Sequence, residues 1–153
     1  MKKIRKKSWE QKVVIVRNSF LRAKRDEDFP MYFYENLFFL NPSIKRYFAK
    51  TDFEHQNKAL MHVMDFLLGF LSKEDEHARK QVMRIAVSHS HQGMNIHPLH
   101  YYYWIEALIL TAQKTDPLWS EGMEFYWREI IFYPVSFIIS QYFSRELGPP
   151  EGV

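Results

Sequence analysis

Val87–Tyr101 reads VSHSHQGMNIHPLHY and holds four of the chain's seven histidines: His89, His91, His97 and His100. Spacing decides whether they act together, because a metal needs ligands that face one way. Residues three or four apart share a helical face, whereas residues two apart do not. His89 and His91 therefore point roughly 200° apart around a helix axis and cannot both ligate one ion from an intact helix. His97 and His100 have a compatible spacing, but no Asp or Glu lies between His77 and Glu106 to complete a zinc trio. A dedicated zinc site is not expected on these grounds, and a single histidine acting alone remains. The same stretch is also punctuation. Gly93 suits the left-handed end of one helix, and Pro98 suits the first turn of the next.

Working outward, that helix–turn–helix reading extends over the chain. Leu60, Val63, Met64, Leu67, Leu68 and Leu71 form a stripe at helical spacing, and the C-terminal run with Ile130, Phe137, Ile138 and Phe143 has the same character. Strand-like alternation is nearly absent. The punctuation predicts a first helix from the cap candidate Ser8 to Arg25. A second starts near Asp28 and Pro30 and ends before Asn41-Pro42, and a short helical turn covers Ser43 to Phe48. A long helix follows over Asp52 to Leu71, then one opened by Ser72 and Asp75 that ends near Gly93. Pro98 opens another, as does Pro117 after the cap candidate Asp116, and Pro134 falls inside the last helix. The expectation is an all-α fold of six to eight helices.

Composition narrows the chemistry. The 153 residues suffice for one domain, and 17% of them are aromatic, enough for a crowded core or for rings lining a large flat ligand. With no cysteine, thiol catalysis, zinc–thiolate sites and iron–sulfur clusters are excluded. The apolar runs are shorter than the ~20 residues of a membrane span, and the basic start has no apolar segment behind it. A cytoplasmic protein without stable membrane insertion is expected. Lys2, Lys3, Arg5, Lys6 and Lys7 supply five of the 21 basic residues, and the remaining 16 face 18 acidic ones. The net charge of +3 therefore belongs to a tail and gives no sign of a nucleic-acid partner.

A cofactor held by one imidazole is haem, and at this point the residues resemble a family. HQGMNIHPLHY, His91 to Tyr101, is similar to the proximal region of globins, where the ligating histidine stands seven residues before a proline and a tyrosine follows three residues after it. FYENLFFLNPSIKRYF, Phe33 to Phe48, resembles the second and third helices of bacterial globins, above all the haem domains of flavohaemoglobins and their single-domain relatives. QNKAL, Gln56 to Leu60, resembles the distal helix motif, and the C-terminal region with Trp127 resembles the last two globin helices. The resemblance runs from about residue 10 to 145.

It implies a globin fold over residues 10–147, with a basic tail at 1–9 and a flexible end at 148–153. It also implies a haem b cofactor with His91 as the iron ligand and Phe48, Gln56, Leu60 and Tyr101 around the haem. Tyr34 and Gln56 become the distal donors to a diatomic ligand, with His55 as the alternative to Gln56 if the helix is rotated by one residue. Both donors can hydrogen-bond the partial negative charge of dioxygen. Phe48 and Leu60 would exclude water. Dioxygen, nitric oxide and carbon monoxide are the implied ligands, and reversible dioxygen binding, as transport or storage, is the implied function. Nitric oxide detoxification with an external reductase is the alternative, and a gas-sensing module is a third, with a homodimer face on YYYW (Tyr101 to Trp104) and the last helix. One departure stands out: Ser144 occupies the position where flavohaemoglobins carry a glutamate, and Glu146 is two residues off that face.

Overall fold

The computed structural model describes residues 6–143. Six α-helices and one 3₁₀ helix make up all the regular structure among them: α1 Trp9–Ala23, α2 Phe29–Leu40, the 3₁₀ helix Pro42–Phe48, α3 Phe53–Phe70, α4 Glu76–His89, α5 Pro98–Thr115 and α6 Met123–Ser140. The chain is all-α, as its periodicity predicts. Lys2, Lys3, Arg5, Ser144, Glu146 and the segment 148–153 lie outside the described residues. No helix among those described is long and apolar enough to cross a membrane.

Local chemistry explains most boundaries. Ser8 opens α1 with a reciprocal capping box: its hydroxyl accepts from the Gln11 amide at 3.1 Å while its own amide donates to Gln11 Oε1 at 2.9 Å. Asn41 ends α2 and caps the 3₁₀ helix, with Pro42 following as an N-terminal residue that needs no hydrogen bond. Asp52 and Asp75 cap α3 and α4 through their carboxylates. Pro98 sits in the first turn of α5, and Pro134 lies inside α6.

Two expected boundaries fail. The helix carrying His89 does not run to Gly93; it ends at His89, and Ser90 is already extended at φ −63°, ψ 169°. Gly93 is needed for close approach instead, since a Cβ there would stand 2.3 Å from the Ser88 carbonyl oxygen. The left-handed residue of this turn is Asn95, at φ 54°. No helix begins at Pro117 either. Asp116 shares its carboxylate among Ser19, Arg22 and the Leu118 amide, and α6 starts only at Met123, after Gly122 at φ 89°.

The core joins all of these elements. α2 packs on α5, α3 on α4, and α6 on α1, α4 and α5. Val16, Phe20, Phe33, Met64, Leu108, Trp127 and Ile130 are fully buried, each apolar side chain contributing about 1.5–3 kcal/mol against exposure. At the turn between α3 and α4, Gly69 allows close packing: a Cβ there would lie 2.7 Å from Ala78 Cβ. That contact fixes the near ends of the two helices. Gln56 and His89 then lie about 20 and 17 Å along their helices toward the far end.

Candidate functional site

The far end of the α3–α4 pair, with α2 and α5 beside it, gathers most of the polar groups singled out by sequence. Tyr34 projects from α2 into a nest of rings, with Phe33, Phe48 and Phe53 centroids at 5.0, 5.5 and 5.5 Å. Edge-to-face contacts of this kind fix the phenol ring's orientation. Its hydroxyl meets α3, where Gln56 Nε2 donates to it at 3.0 Å. Burial pushes the Tyr34 hydroxyl up to about 12, outweighing the downward pull of Gln56. Tyr34 is thus a neutral phenol at ordinary pH. Because Gln56 supplies the hydrogen of their shared bond, the phenolic hydrogen remains available to a further acceptor.

Leu60, one turn after Gln56 on the same face, is buried in the core, and Phe48 is half-buried against Phe38 and Tyr34. His55 and His62 are exposed. The α3 side chain that reaches Tyr34 is Gln56.

The histidine stretch divides differently from its spacing to Pro98. His89, the last residue of α4, is half-buried, and its Nδ1 lies 3.3 Å from the Tyr101 hydroxyl on the first turn of α5. Burial lowers the imidazole's pKa and so favours its neutral form. Tyr101 is itself buried, and burial raises its hydroxyl above the ordinary range, followed by the influence of Tyr142. It stays protonated beside His89. In the tautomer that carries its proton on Nδ1, His89 donates to Tyr101 and its Nε2 keeps a lone pair for another partner.

His91 lies elsewhere. It is exposed, with its ring against Tyr142 and Phe143 at centroid distances of 5.7 and 5.9 Å, and its amide donates to the Tyr142 carbonyl at 3.0 Å. It belongs to the turn after α4, which is tightly made: the Met94 amide donates to Ser88 O at 2.8 Å, the Ile96 amide to His89 O at 3.1 Å, and the Tyr142 hydroxyl to Asn95 Oδ1. The structure therefore brings Tyr34, Gln56 and Phe48 together and pairs Tyr101 with His89, leaving His91 apart. A signal for His89 was present in the sequence. Ala78, Val82 and Ala86 mark the buried face of α4, and His89 continues it at i+3 while His91 does not.

α5 connects the two groups. Tyr101 touches His89, and Trp104, one turn on, packs edge-on against Phe33 at 5.5 Å, beside Tyr34. Sequence reasoning also passed over a buried polar network away from this region. Asp116 receives Ser19 Oγ at 2.6 Å and both Arg22 Nε and Nη2, while Trp127 Nε1 donates to Ser19 Oγ at 3.0 Å. Its closed hydrogen bonding marks it as a tie between helices. Among the described residues, no group of three or more His, Asp or Glu side chains could hold a metal ion.

No protein-family model matches the chain, and no curated protein matches it. A solved structure does. The crystal structure of a protein from Pseudomonas aeruginosa PAO1, described as structurally highly homologous to a human hemoglobin, aligns with a TM-score of 0.78. The alignment covers 86% of this chain and 98% of that one at 23% identity, a likeness that establishes the fold.

Proposed function

We propose that this chain, with its globin fold, holds haem b through His89 and binds dioxygen reversibly beside Tyr34 and Gln56. The observation that carries the reading is His89: a half-buried imidazole that burial holds toward its neutral form, with Nδ1 3.3 Å from the Tyr101 hydroxyl. It replaces His91, whose ring packs on Tyr142 and Phe143, just beyond α6. The residues fit the cofactor by their chemistry, since an imidazole nitrogen is the usual protein ligand in globins and apolar rings suit a flat apolar macrocycle. When bound, haem supplies the iron at which a diatomic gas binds reversibly.

The protein's own groups do the rest. Tyr101 fixes the tautomer and ring orientation of His89. Gln56 holds the Tyr34 oxygen so that the phenolic hydrogen points to another acceptor, and a partially negative diatomic ligand is such an acceptor. Phe48 and Leu60 keep water away.

The test is haem reconstitution followed by absorption spectra of the ferric, ferrous and dioxygen-exposed protein. The wild type gives a Soret band that shifts with each state, His89→Ala loses the ligation signature, and His91→Ala keeps it. Absence of a Soret band in the reconstituted wild type sinks the haem reading. Loss in His91→Ala with retention in His89→Ala returns the ligand to His91.

A further inference from the structure

Charge is shared unevenly along the chain. Ten of its 21 basic residues fall within the first 25 positions, where Glu10 stands as the one acid. Asp26, Glu27 and Asp28 follow, so residues 1–28 set ten bases against four acids, while the rest of the chain sets 11 against 14. The structure sorts these cations into two kinds. Lys12 meets Glu129 at 2.9 Å, Arg17 donates to the Leu68 carbonyl at 2.8 Å and Arg22 donates to Asp116, all inside the fold. Lys6, Lys7, Lys24 and Arg25 are exposed, and none has a carboxylate partner among the described residues.

Between these outward cations, α1 turns aliphatic side chains to solvent. Val14 is 55% exposed and Leu21 48%. They stand two helical turns apart on one face, about 10 Å, with the exposed Gln11 and Asn18 beside them. At one end of that face, Lys7, Glu10, Val14 and Ile15 border a shallow hollow of about 400 Å³. We propose that this outer face of α1, together with the basic run at residues 2–7, adsorbs the protein to an anionic lipid surface.

Charge and the aliphatic pair together choose the occupant. Each Lys or Arg brought to an anionic leaflet tightens adsorption about fivefold, and five lie at residues 2–7. Duplex DNA offers similar phosphate charge but gives Val14 and Leu21 nothing apolar to enter. The acyl boundary of a bilayer does, ~5–10 Å below its surface. The contact is adsorption, not insertion. Val16, Phe20 and Ala23, on the opposite face of α1, are fully buried in the core, so the helix meets lipid as part of the folded protein.

The inference does not depend on the haem reading. It is tested with the full-length chain, haem-free and haem-loaded, by co-sedimentation with phosphatidylcholine vesicles holding about 30 mol% phosphatidylserine, which gives them a negative surface potential. The wild type sediments with these vesicles and stays in solution with pure phosphatidylcholine. It is released at about 1 M salt, where the screening length is ~3 Å. Lys6→Gln with Lys7→Gln lowers the partition coefficient about 25-fold. Lys80→Gln with Arg84→Gln, an equal loss of charge from exposed positions on α4, changes it less than about twofold. Val14→Ser with Leu21→Ser lowers it about tenfold at unchanged circular dichroism. A wild type that stays in solution with the anionic vesicles overturns the inference, and so does an equal loss in the two charge variants. If duplex DNA strips the wild type from the vesicles and the aliphatic variant sediments as well as the wild type, the face belongs to a nucleic acid and the lipid assignment is overturned.

Discussion

Tyr34 has one task for its oxygen and another for its hydrogen. Gln56 donates to the oxygen, and burial keeps the hydrogen in place to about pH 12. Removing the hydroxyl with Tyr34→Phe leaves the packing of the ring intact and deletes one donor of about 1–1.5 kcal/mol. In the haem-loaded protein, dioxygen release measured by stopped flow is expected to accelerate about tenfold. An unchanged rate would show that the phenol does not meet the ligand. The pairing of Tyr34 with Gln56 could be expected from sequence because each side chain has a fixed place on its own helix. The choice between His89 and His91 was harder. Counting back from Pro98 crosses a turn whose path depends on Gly93, Asn95 and Tyr142, and Tyr142 is contributed by the far end of the chain.

At the scale of elements, helix starts were legible wherever a cap and its helix are neighbours in sequence, as at Ser8, Asp52, Asp75 and Pro98. Asp116-Pro117 had the same appearance, and the Asp116 carboxylate does accept from the Leu118 amide at 2.9 Å, yet the segment only turns while the same carboxylate ties Arg22 and Ser19, 94 and 97 positions away. Local signals cannot register those distant ties. The end of α4 is a second case. Gly93 marked the turn, but its role is proximity to Ser88 instead of a left-handed cap. Adding one methyl group there meets backbone, which cannot rotate aside. Gly93→Ala is therefore expected to cost about 1–3 kcal/mol, in the range of overpacking, read from urea midpoints. It should also weaken haem retention, since His89 O accepts from Ile96 in the same turn. If both readouts match the wild type, the turn does not position His89.

Across the whole molecule, α1 is held by distant groups: Ser19 and Arg22 on Asp116, Ser19 under Trp127, and Lys12 on Glu129. Burial alone would raise the Asp116 carboxyl, but Arg22, Ser19 and the Leu118 amide together hold it low. A carboxyl depressed in the folded state stabilises the fold above its ordinary value of 3.8, and that stability is lost as pH falls through the lower folded value. Asp116→Asn is expected to cost about 1–3 kcal/mol at pH 7, with urea midpoints of variant and wild type converging below pH 3.8. Parallel curves down to low pH would exclude the ion-paired carboxylate as the cause. The same ties set an order in time. Each partner lies 94 to 117 residues after the α1 side chain it holds, so a ribosome adding 5–20 residues per second delivers it roughly 5–25 s later. Tyr34, Gln56, His89 and Tyr101 have all been synthesised before Asp116 can close on Arg22. The first helix of a nascent chain is thus unsecured while the segments carrying these four residues are already made, an interval in which chaperones and proteases have access to its apolar face.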